Sequence, residues 1–368
     1  MRVVICINTS WNIFNFRSGL IKGLLAKGYQ VIAVAPQDEY SDSLVQMGCE
    51  FRPVQMHQTG SNPFRDFHLF LDLRRIYADV KPDIIYQYTV KPNIYGSLAA
   101  RSLGIPVVNN VSGLGTVFLN RGLTSRIAKL LYKLAFQKAD LVFFQNKDDK
   151  ADFLTQIKLP HLRTDLLPGS GIDLQSFQSK SEISNKPFRF LMIARLILDK
   201  GVEEYLLAAR NLKREYPEVV FQLLGQLDEK HARGVAKKYL QEFIDDDTIE
   251  YLGTSDSVKQ LIDESTCVVL PSYREGTPKT LLEAAAMSRP IVTTDVPGCR
   301  EVVEDGRNGY LCRVMDWRDL ARKMQKMIEL PPEELMKLGK NGRQYVASKF
   351  DEQLIINKYL EVTANILE

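Results

Sequence analysis

Glu275 and Glu283 stand eight residues apart in Leu270-Pro-Ser-Tyr-Arg-Glu-Gly-Thr-Pro-Lys-Thr-Leu-Leu-Glu-Ala-Ala-Ala-Met287. The apolar run Cys267–Leu270 reads as a strand that stops at Pro271. A loop then carries Glu275 and Gly276, and a helix follows with Thr277 as N-cap and Pro278 at its first position. Backbone N–H groups around Lys279 and Thr280 at such a start attract phosphate. At roughly 100° per residue, Glu283 returns near the face of Glu275. Set among Leu281, Leu282 and Ala284 to Ala286, its carboxylate is costly unless something hydrogen-bonds it. A pair of ribose hydroxyls would serve. Each glutamate alone reads more simply as a solvated charge, and it is their combination with the helix start and the cations below that points to a ligand.

Two cations suit the same ligand. The strand Phe188–Ala194 runs into Arg195-Leu-Ile-Leu-Asp-Lys200-Gly201. A guanidinium fork and an ammonium near a strand's carboxyl end match a diphosphate and would neutralise charge on a leaving nucleotide. Taken by itself, Lys200 is also an ordinary first-turn residue. No metal or other cofactor is implied. His57, His68, His161 and His231 are dispersed, and Asp245-Asp246-Asp247 reads most simply as an acidic turn. No Gly-x-Ser-x-Gly elbow offers a nucleophile, and the first strand lacks the Gly-x-Gly-x-x-Gly of nicotinamide and flavin enzymes.

The elements that must position these residues alternate. Val3–Ile7 is a predicted strand, Asn8 to Phe16 a loop, Arg17 to Lys27 a helix and Gln30–Ala35 a strand. Phe64–Val80 (helix), Asp83–Tyr86 (strand), Asn93–Leu103 (helix), Pro106–Asn110 (strand), Ser125–Lys138 (helix) and Leu141–Gln145 (strand) continue the pattern, with a helix to about Ile157. Leu167-Pro-Gly-Ser-Gly-Ile-Asp-Leu174 suits a linker. A second alternation has strands Phe188–Ala194, Val219–Leu224, Ile249–Leu252, Cys267–Leu270, Ile291–Thr293 and Tyr310–Cys312. Its helices lie at about Val202–Arg214, Lys230–Phe243, Ser257–Glu264 and Pro278–Met287, and further helices follow Asp316, Pro332 and Asp351. The expected class is α/β with two doubly wound domains, residues 1–170 and 171–350, and a closing helix at 351–368.

A chain of 368 residues with 45% apolar and 25% charged residues is that of an ordinary soluble protein. A net charge of +3 is too small to argue for nucleic acid. The five scattered cysteines suggest a reducing compartment. Neither a signal peptide nor a membrane span is evident. The stretch holding Arg121, Arg126, Lys129, Lys133 and Lys138 among Leu123, Ile127, Leu130 and Leu134 is a basic amphipathic helix. It is compatible with an anionic membrane surface and with a sheet-packed helix whose basic face is solvated.

With Arg195, Lys200 and Glu275-Gly-Thr-Pro-Lys-Thr-Leu-Leu-Glu283-Ala on the page, the chain resembles the retaining glycosyltransferases of the GT-B fold, family GT4. The resemblance runs along nearly the whole chain. Asn15-Phe16-Arg17, Pro63-Phe64-Arg65-Asp66, Lys91-Pro-Asn-Ile-Tyr-Gly96 and Val111-Ser-Gly-Leu-Gly115 are similar to a bacterial subgroup. Its members add N-acetylhexosamine or related sugars to undecaprenyl-diphosphate-linked saccharides.

The resemblance implies a fold of two Rossmann-like domains facing across a cleft, the last helix crossing back to the first. Arg195 and Lys200 would hold the diphosphate of a UDP-sugar, aided by Gly276, Thr277, Pro278, Lys279 and Thr280. Glu283 would bind ribose and Glu275 the donor sugar, so that Arg195, Lys200 and Glu275 form the catalytic group. Asn15, Arg17, Lys91, Asn93, Ser112 and Gly113 would line the acceptor side, and Arg121, Arg126, Lys129 and Lys133 would face a membrane. The reaction would retain configuration without a metal, at the cytoplasmic face of the membrane. The chain departs from many relatives in two places. Asn8-Thr-Ser-Trp-Asn12 replaces paired glycines, and Ser112 stands where a histidine is common. The rival readings are a nucleotide-sugar epimerase of the same fold and a non-catalytic nucleotide-sugar-binding subunit.

Overall fold

A computed structural model describes the chain except residues 58, 59, 61, 115–117, 119–121, 180–186 and 230. It has two compact units, one made of Met1–Ser170 with Glu352–Glu368 and the other of Gly171–Asp351.

In the first unit, β1 (Arg2–Cys6), β2 (Gln30–Ala35), β3 (Glu50–Pro53), β4 (Ile84–Tyr88), β5 (Val107–Val111), β6 (Leu141–Phe144) and β7 (Thr164–Leu166) form one sheet in the order β3-β2-β1-β4-β5-β6-β7. Every neighbouring pair is parallel. A parallel sheet is covered on both faces, which is why Val3, Val4, Ile5 and Cys6 are all buried rather than alternating. Its helices are α1 (Ser10–Ala26), α2 (Ser41–Gln46), α3 (Pro63–Val80), α4 (Ser97–Ser102), α5 (Leu123–Phe136) and α6 (Lys147–Ile157). The C-terminal helix Glu352–Leu367 belongs to this unit and packs on α1. Gly19 and Gly23 make room: a Cβ on Gly23 would lie 2.5 Å from Ile356 Cγ2.

The second unit repeats the plan. Its strands β8 (Arg189–Ile193), β9 (Val220–Leu224), β10 (Glu250–Gly253), β11 (Cys267–Leu270), β12 (Ile291–Thr294) and β13 (Gly309–Cys312) are ordered β10-β9-β8-β11-β12-β13, all parallel. Helices α7 (Val202–Lys213), α8 (Lys237–Asp245), α9 (Val258–Glu264), α10 (Lys279–Ala286), α11 (Trp317–Ile328) and α12 (Pro332–Lys349) complete it. Each sheet reverses its winding once, between β1 and β4 in one unit and between β8 and β11 in the other. Ligands of such sheets bind outside the carboxyl ends of the strands at that point.

The structure corrects several boundaries. The expected loop from Asn8 to Phe16 is mostly helix, because Thr9 Oγ1 caps α1 by accepting from Asn12 N at 3.0 Å. The helix expected over Asn93–Leu103 opens instead as a π-helical turn, Pro92–Gly96, before α4. Gly96 admits the buried Gln87 amide there, since a Cβ would lie 2.4 Å from Gln87 Nε2. In α10 the N-cap is Pro278, not Thr277, and the helix starts one residue later than expected. Helix α2 and the short polar strands β3 and β7 were not apparent in the sequence pattern.

The C-terminal helix is bonded into the first unit through Tyr359. Tyr88 Oη donates to Tyr359 Oη at 2.9 Å, and Tyr359 Oη donates to Asn110 Oδ1 at 2.5 Å. Tyr359→Phe keeps the ring and strands two buried polar groups, so it should lower stability by about 1–3 kcal/mol in a urea titration. An unchanged midpoint would show that this hydroxyl does not hold the helix in place.

Candidate functional site

In the second unit the reversal between β8 and β11 gathers four of the side chains expected at a site. Arg195 follows β8, is exposed, and has no ion-pair partner among the described residues. Lys200 closes the short turn Leu198–Lys200, and its ammonium donates to Glu275 Oε1 on the loop after β11. Ser272 Oγ donates to the same oxygen at 2.6 Å. Neither Lys200 nor Glu275 is fully exposed, so each offsets the other's desolvation.

Local geometry makes that pair possible. Gly201 lies at φ 71°, and a Cβ there would stand 2.1 Å from Pro271 O, so only glycine lets the Lys200 turn lie on the end of β11. Tyr273 fastens the same loops: its N–H donates to Asp199 O at 2.9 Å and its hydroxyl to Glu204 Oε1 at 2.7 Å. Behind Glu275, Gly298 at φ 86° packs its Cα against the Glu275 and Gly276 carbonyls, 2.5 Å from where a Cβ would be.

Helix α10 begins beside this pair, and Thr280 Oγ1 reaches Ile193 O at the end of β8 at 3.4 Å. Pro278 at the N-cap supplies no side-chain cap. The first N–H groups of an α-helix have no partner within it, so this end is a partial positive charge. Thr277 Oγ1 is buried there with no hydrogen-bond partner. Glu283 lies a turn further on, its side chain 13% exposed and 3.9 Å from Lys279 Nζ. Burial pushes its pKa up to about 7, only partly offset by Lys279. A ligand with an anionic group at the helix end and hydroxyls beside Glu283 would satisfy all of these groups.

The first unit places its expected residues differently. Asn15 lies on α1, its amide donating to Trp11 O at 2.9 Å. Arg17, also on α1, is 7% exposed with its guanidinium 4.2 Å from the Tyr88 ring centroid. Lys91 pairs with the buried Asp66 at 2.8 Å. Asn93 is 1% exposed and donates to Asn110 O at 2.8 Å, within a network that includes Asn109 and Ser97. Ser112 and Gly113 follow β5 directly. On α5, Arg126 is exposed and Lys129 and Lys133 are half-buried, while Arg121 and Gly115 lie outside the described residues. Among the described residues no three His, Cys, Asp or Glu converge where a metal could sit, and no helix is long and apolar enough to cross a membrane.

Comparison with known proteins decides the family. Residues 174–345 match the family described as glycosyl transferases group 1, and residues 2–146 match glycosyl transferase 4-like. The N,N'-diacetylbacillosaminyl-diphospho-undecaprenol alpha-1,3-N-acetylgalactosaminyltransferase of Campylobacter jejuni is 30% identical over 100% of both chains. The chain belongs to the GT4-type glycosyltransferases. The Escherichia coli UDP-Gal:alpha-D-GlcNAc-diphosphoundecaprenol alpha-1,3-galactosyltransferase is 22% identical over 82% of this chain and 81% of its own. Sucrose-phosphate synthase of Thermosynechococcus elongatus shares the fold, with a TM-score of 0.83 at 18% identity, covering 100% of this chain and 99% of its own. Anabaena HepE in complex with UDP and glucose does so at a TM-score of 0.79 and 19% identity, covering 99% of each chain. This is the GT-B architecture expected from the sequence.

Of the residues brought together at this candidate site, Arg195, Lys200, Glu275 and Glu283 were expected from the sequence, whereas Ser272, Gly201, Tyr273 and Gly298 were not. Only the -Lys200-Gly201- step, a glycine just ahead of a helix, carried a signal of its own. The raised pKa of Glu283 has a measurable consequence. An acid whose pKa rises on folding leaves stability intact below its ordinary value of 4.5 and costs stability as pH climbs to about 7 and beyond. Glu283→Gln should therefore stabilise the unliganded enzyme at pH 8 by on the order of 1–3 kcal/mol and have little effect at pH 4. Thermal unfolding across that range checks it, and an equal effect at both ends would mean that the carboxylate does not titrate there.

Proposed function

We propose that this glycosyltransferase moves an N-acetylhexosamine from a UDP donor onto a saccharide carried by polyprenyl diphosphate, in bacterial surface-glycan or glycoprotein assembly. It would act without a metal or other cofactor and with retention at the anomeric carbon. The observation that carries the reading is the constellation at the β8–β11 reversal. There Arg195, Lys200 and the uncapped start of α10 with its unpartnered Thr277 hydroxyl lie together, and Glu283 follows within the same helix. The names of the C. jejuni and E. coli relatives support the acceptor class.

In this reading Arg195 and Lys200 hold the donor diphosphate and offset the charge that builds on it as it leaves. Glu283 receives the ribose hydroxyls and Glu275, held by Lys200 and Ser272, the donor sugar near its 3- and 4-hydroxyls. The acceptor oxygen forms its bond to the anomeric carbon on the face from which the nucleotide departs. The bond from that carbon to the phosphate oxygen breaks, and the acceptor's proton passes to the departing phosphate. No protein nucleophile is required.

The bilayer would be met by the first unit. Helix α5 buries Ser125, Tyr132, Ala135 and Phe136 and leaves Leu123, Ile127, Leu130 and Leu134 outward beside Arg126, Lys129 and Lys133. That is an apolar stripe with a basic margin, the pattern of helices lying on anionic membranes. Helix α3 packs on the same π-helical turn as α5 and exposes Phe64 (82%) and Phe67. The enzyme would thus be peripheral at the inner face of the cell membrane.

Nucleotide release from a panel of UDP- and GDP-sugars, with and without undecaprenyl-diphosphate-GlcNAc or -GalNAc in excess EDTA, tests the chemistry. Acceptor-dependent release from a UDP-HexNAc is expected, undiminished by EDTA, and Glu275→Ala should lower kcat/KM by about 10²–10³. Turnover without acceptor would point to the epimerase, and loss in EDTA would overturn the metal-free mechanism. Flotation with vesicles tests the docking. Anionic vesicles should bind about tenfold or more better than neutral ones, and Leu123→Ser with Ile127→Ser should weaken that binding. Equal binding to both vesicle types would remove the membrane from the reading.

A further inference from the structure

Arg17 and Arg289 are the arginines buried most deeply among the described residues, and they are treated differently. Arg289, 1% exposed, meets the Asp263 carboxylate at 2.9 Å. Arg17 meets no carboxylate among the described residues, and its buried Nε has no hydrogen-bond partner. Its stacking partner, the Tyr88 ring, offers a weaker attraction than an anion does. The neighbouring hydroxyls are committed to one another: Tyr88 donates to Tyr359, and Tyr359 to Asn110. A buried cation left in this state is costly unless an anion completes it.

The position of Arg17 in the sheet says where that anion comes from. Arg17 is on the helix after β1, and Tyr88 is the last residue of β4, so the guanidinium sits at the β1–β4 reversal. This is the place in the first sheet that Arg195, Lys200 and Glu275 occupy in the second. Other anion-binding groups there are already used. Lys91 is tied to Asp66, and the start of α1 is filled by Thr9 Oγ1 on Asn12 N and Asp38 Oδ2 on Trp11 N, each at 3.0 Å. A guanidinium fork is matched by phosphoryl oxygens.

We infer that Arg17 binds a phosphoryl oxygen of the acceptor's diphosphate. The inference rests on the polyprenyl-diphosphate reading above. The donor's diphosphate would have Arg195, Lys200 and the α10 start in the other unit, whereas at the β1–β4 reversal Arg17 is a buried cation that no described carboxylate pairs. Recognition of the lipid-linked acceptor then depends on its charged linkage as well as on its sugar.

The test compares two acceptors with the same saccharide, one on a short polyprenyl diphosphate and one on a neutral alkyl chain of equal length. Wild type should prefer the diphosphate acceptor. Arg17→Gln should lose about a hundredfold in kcat/KM on that acceptor and much less on the neutral one, with the donor KM unchanged. Arg17→Lys, which keeps the charge without the fork, should fall between, and thermal melting checks that both variants are folded. Equal losses on the two acceptors would make Arg17 a packing residue and overturn the inference. A rise in donor KM alone would assign it to the donor's phosphate and overturn it equally. Wild type inactive on both acceptors would instead overturn the polyprenyl-diphosphate reading, and this inference with it.

Discussion

A charge taken out of water must find a partner, and the candidate site of the second unit depends on a pair that does this. Lys200 and Glu275 come from loops after two different strands, and each compensates the other's removal from solvent, with Ser272 also on the carboxylate. Their meeting fixes how the loops after β8 and β11 approach. Gly201 allows the contact with Pro271 O, Gly298 backs the Glu275 carbonyl, and Tyr273 ties the loops on either side. The groups that would touch substrate stand around this pair with little to satisfy them: Arg195 and the Thr277 hydroxyl have no partner among the described residues, and the Glu283 carboxylate has Lys279 at 3.9 Å. The compensated charges build the site, and the uncompensated ones mark where a ligand completes it.

The starts of α1 and α10 are handled in opposite ways, and the sequence shows why. Thr9 precedes α1 and turns its hydroxyl onto Asn12 N, while Asp38 closes Trp11 N, so this positive end is satisfied within the chain. Pro278 precedes α10 and has no side-chain oxygen with which to cap it. Replacing the paired glycines of many relatives by Asn8-Thr-Ser-Trp-Asn12 thus changes more than flexibility. It leaves the first N–H groups of α1 satisfied by side chains of the same unit.

How much of this was legible follows from the range of the forces involved. The runs Gln30–Ala35 and Cys267–Leu270 were read to the residue, because a strand buried on both faces must be apolar throughout. The start of α1 was misread because Trp11, Asn12 and Asn15 look like loop residues. Its inward face, Ser10, Ile13, Arg17 and Leu20, keeps the helical spacing all the same. Strands β3 and β7 escaped because edge strands need not be apolar, and Glu50, Arg52 and Asp165 are not. At the site, the two glutamates and two cations were visible by type and spacing. The Lys200–Glu275 contact was not, since it joins residues 75 positions apart.

The same range effect governs the first unit. Tyr359 reaches Tyr88 across 271 residues and Asn110 across 249. The ring on which Arg17 rests is therefore held by the last helix of the chain. Tyr359, Ile355 and Val362 also belong to the apolar core on that face of the sheet, beside Ile5, Tyr86 and Phe143. Contacts this distant in sequence form late, because the loop must close before they contribute. The second unit, Gly171–Asp351, has no such dependence on a returning segment. In a chain made from its N-terminus, the last helix must therefore emerge before the face that carries Arg17 is complete. The packing around the β1–β4 reversal is in this way completed only by the last residues of the chain.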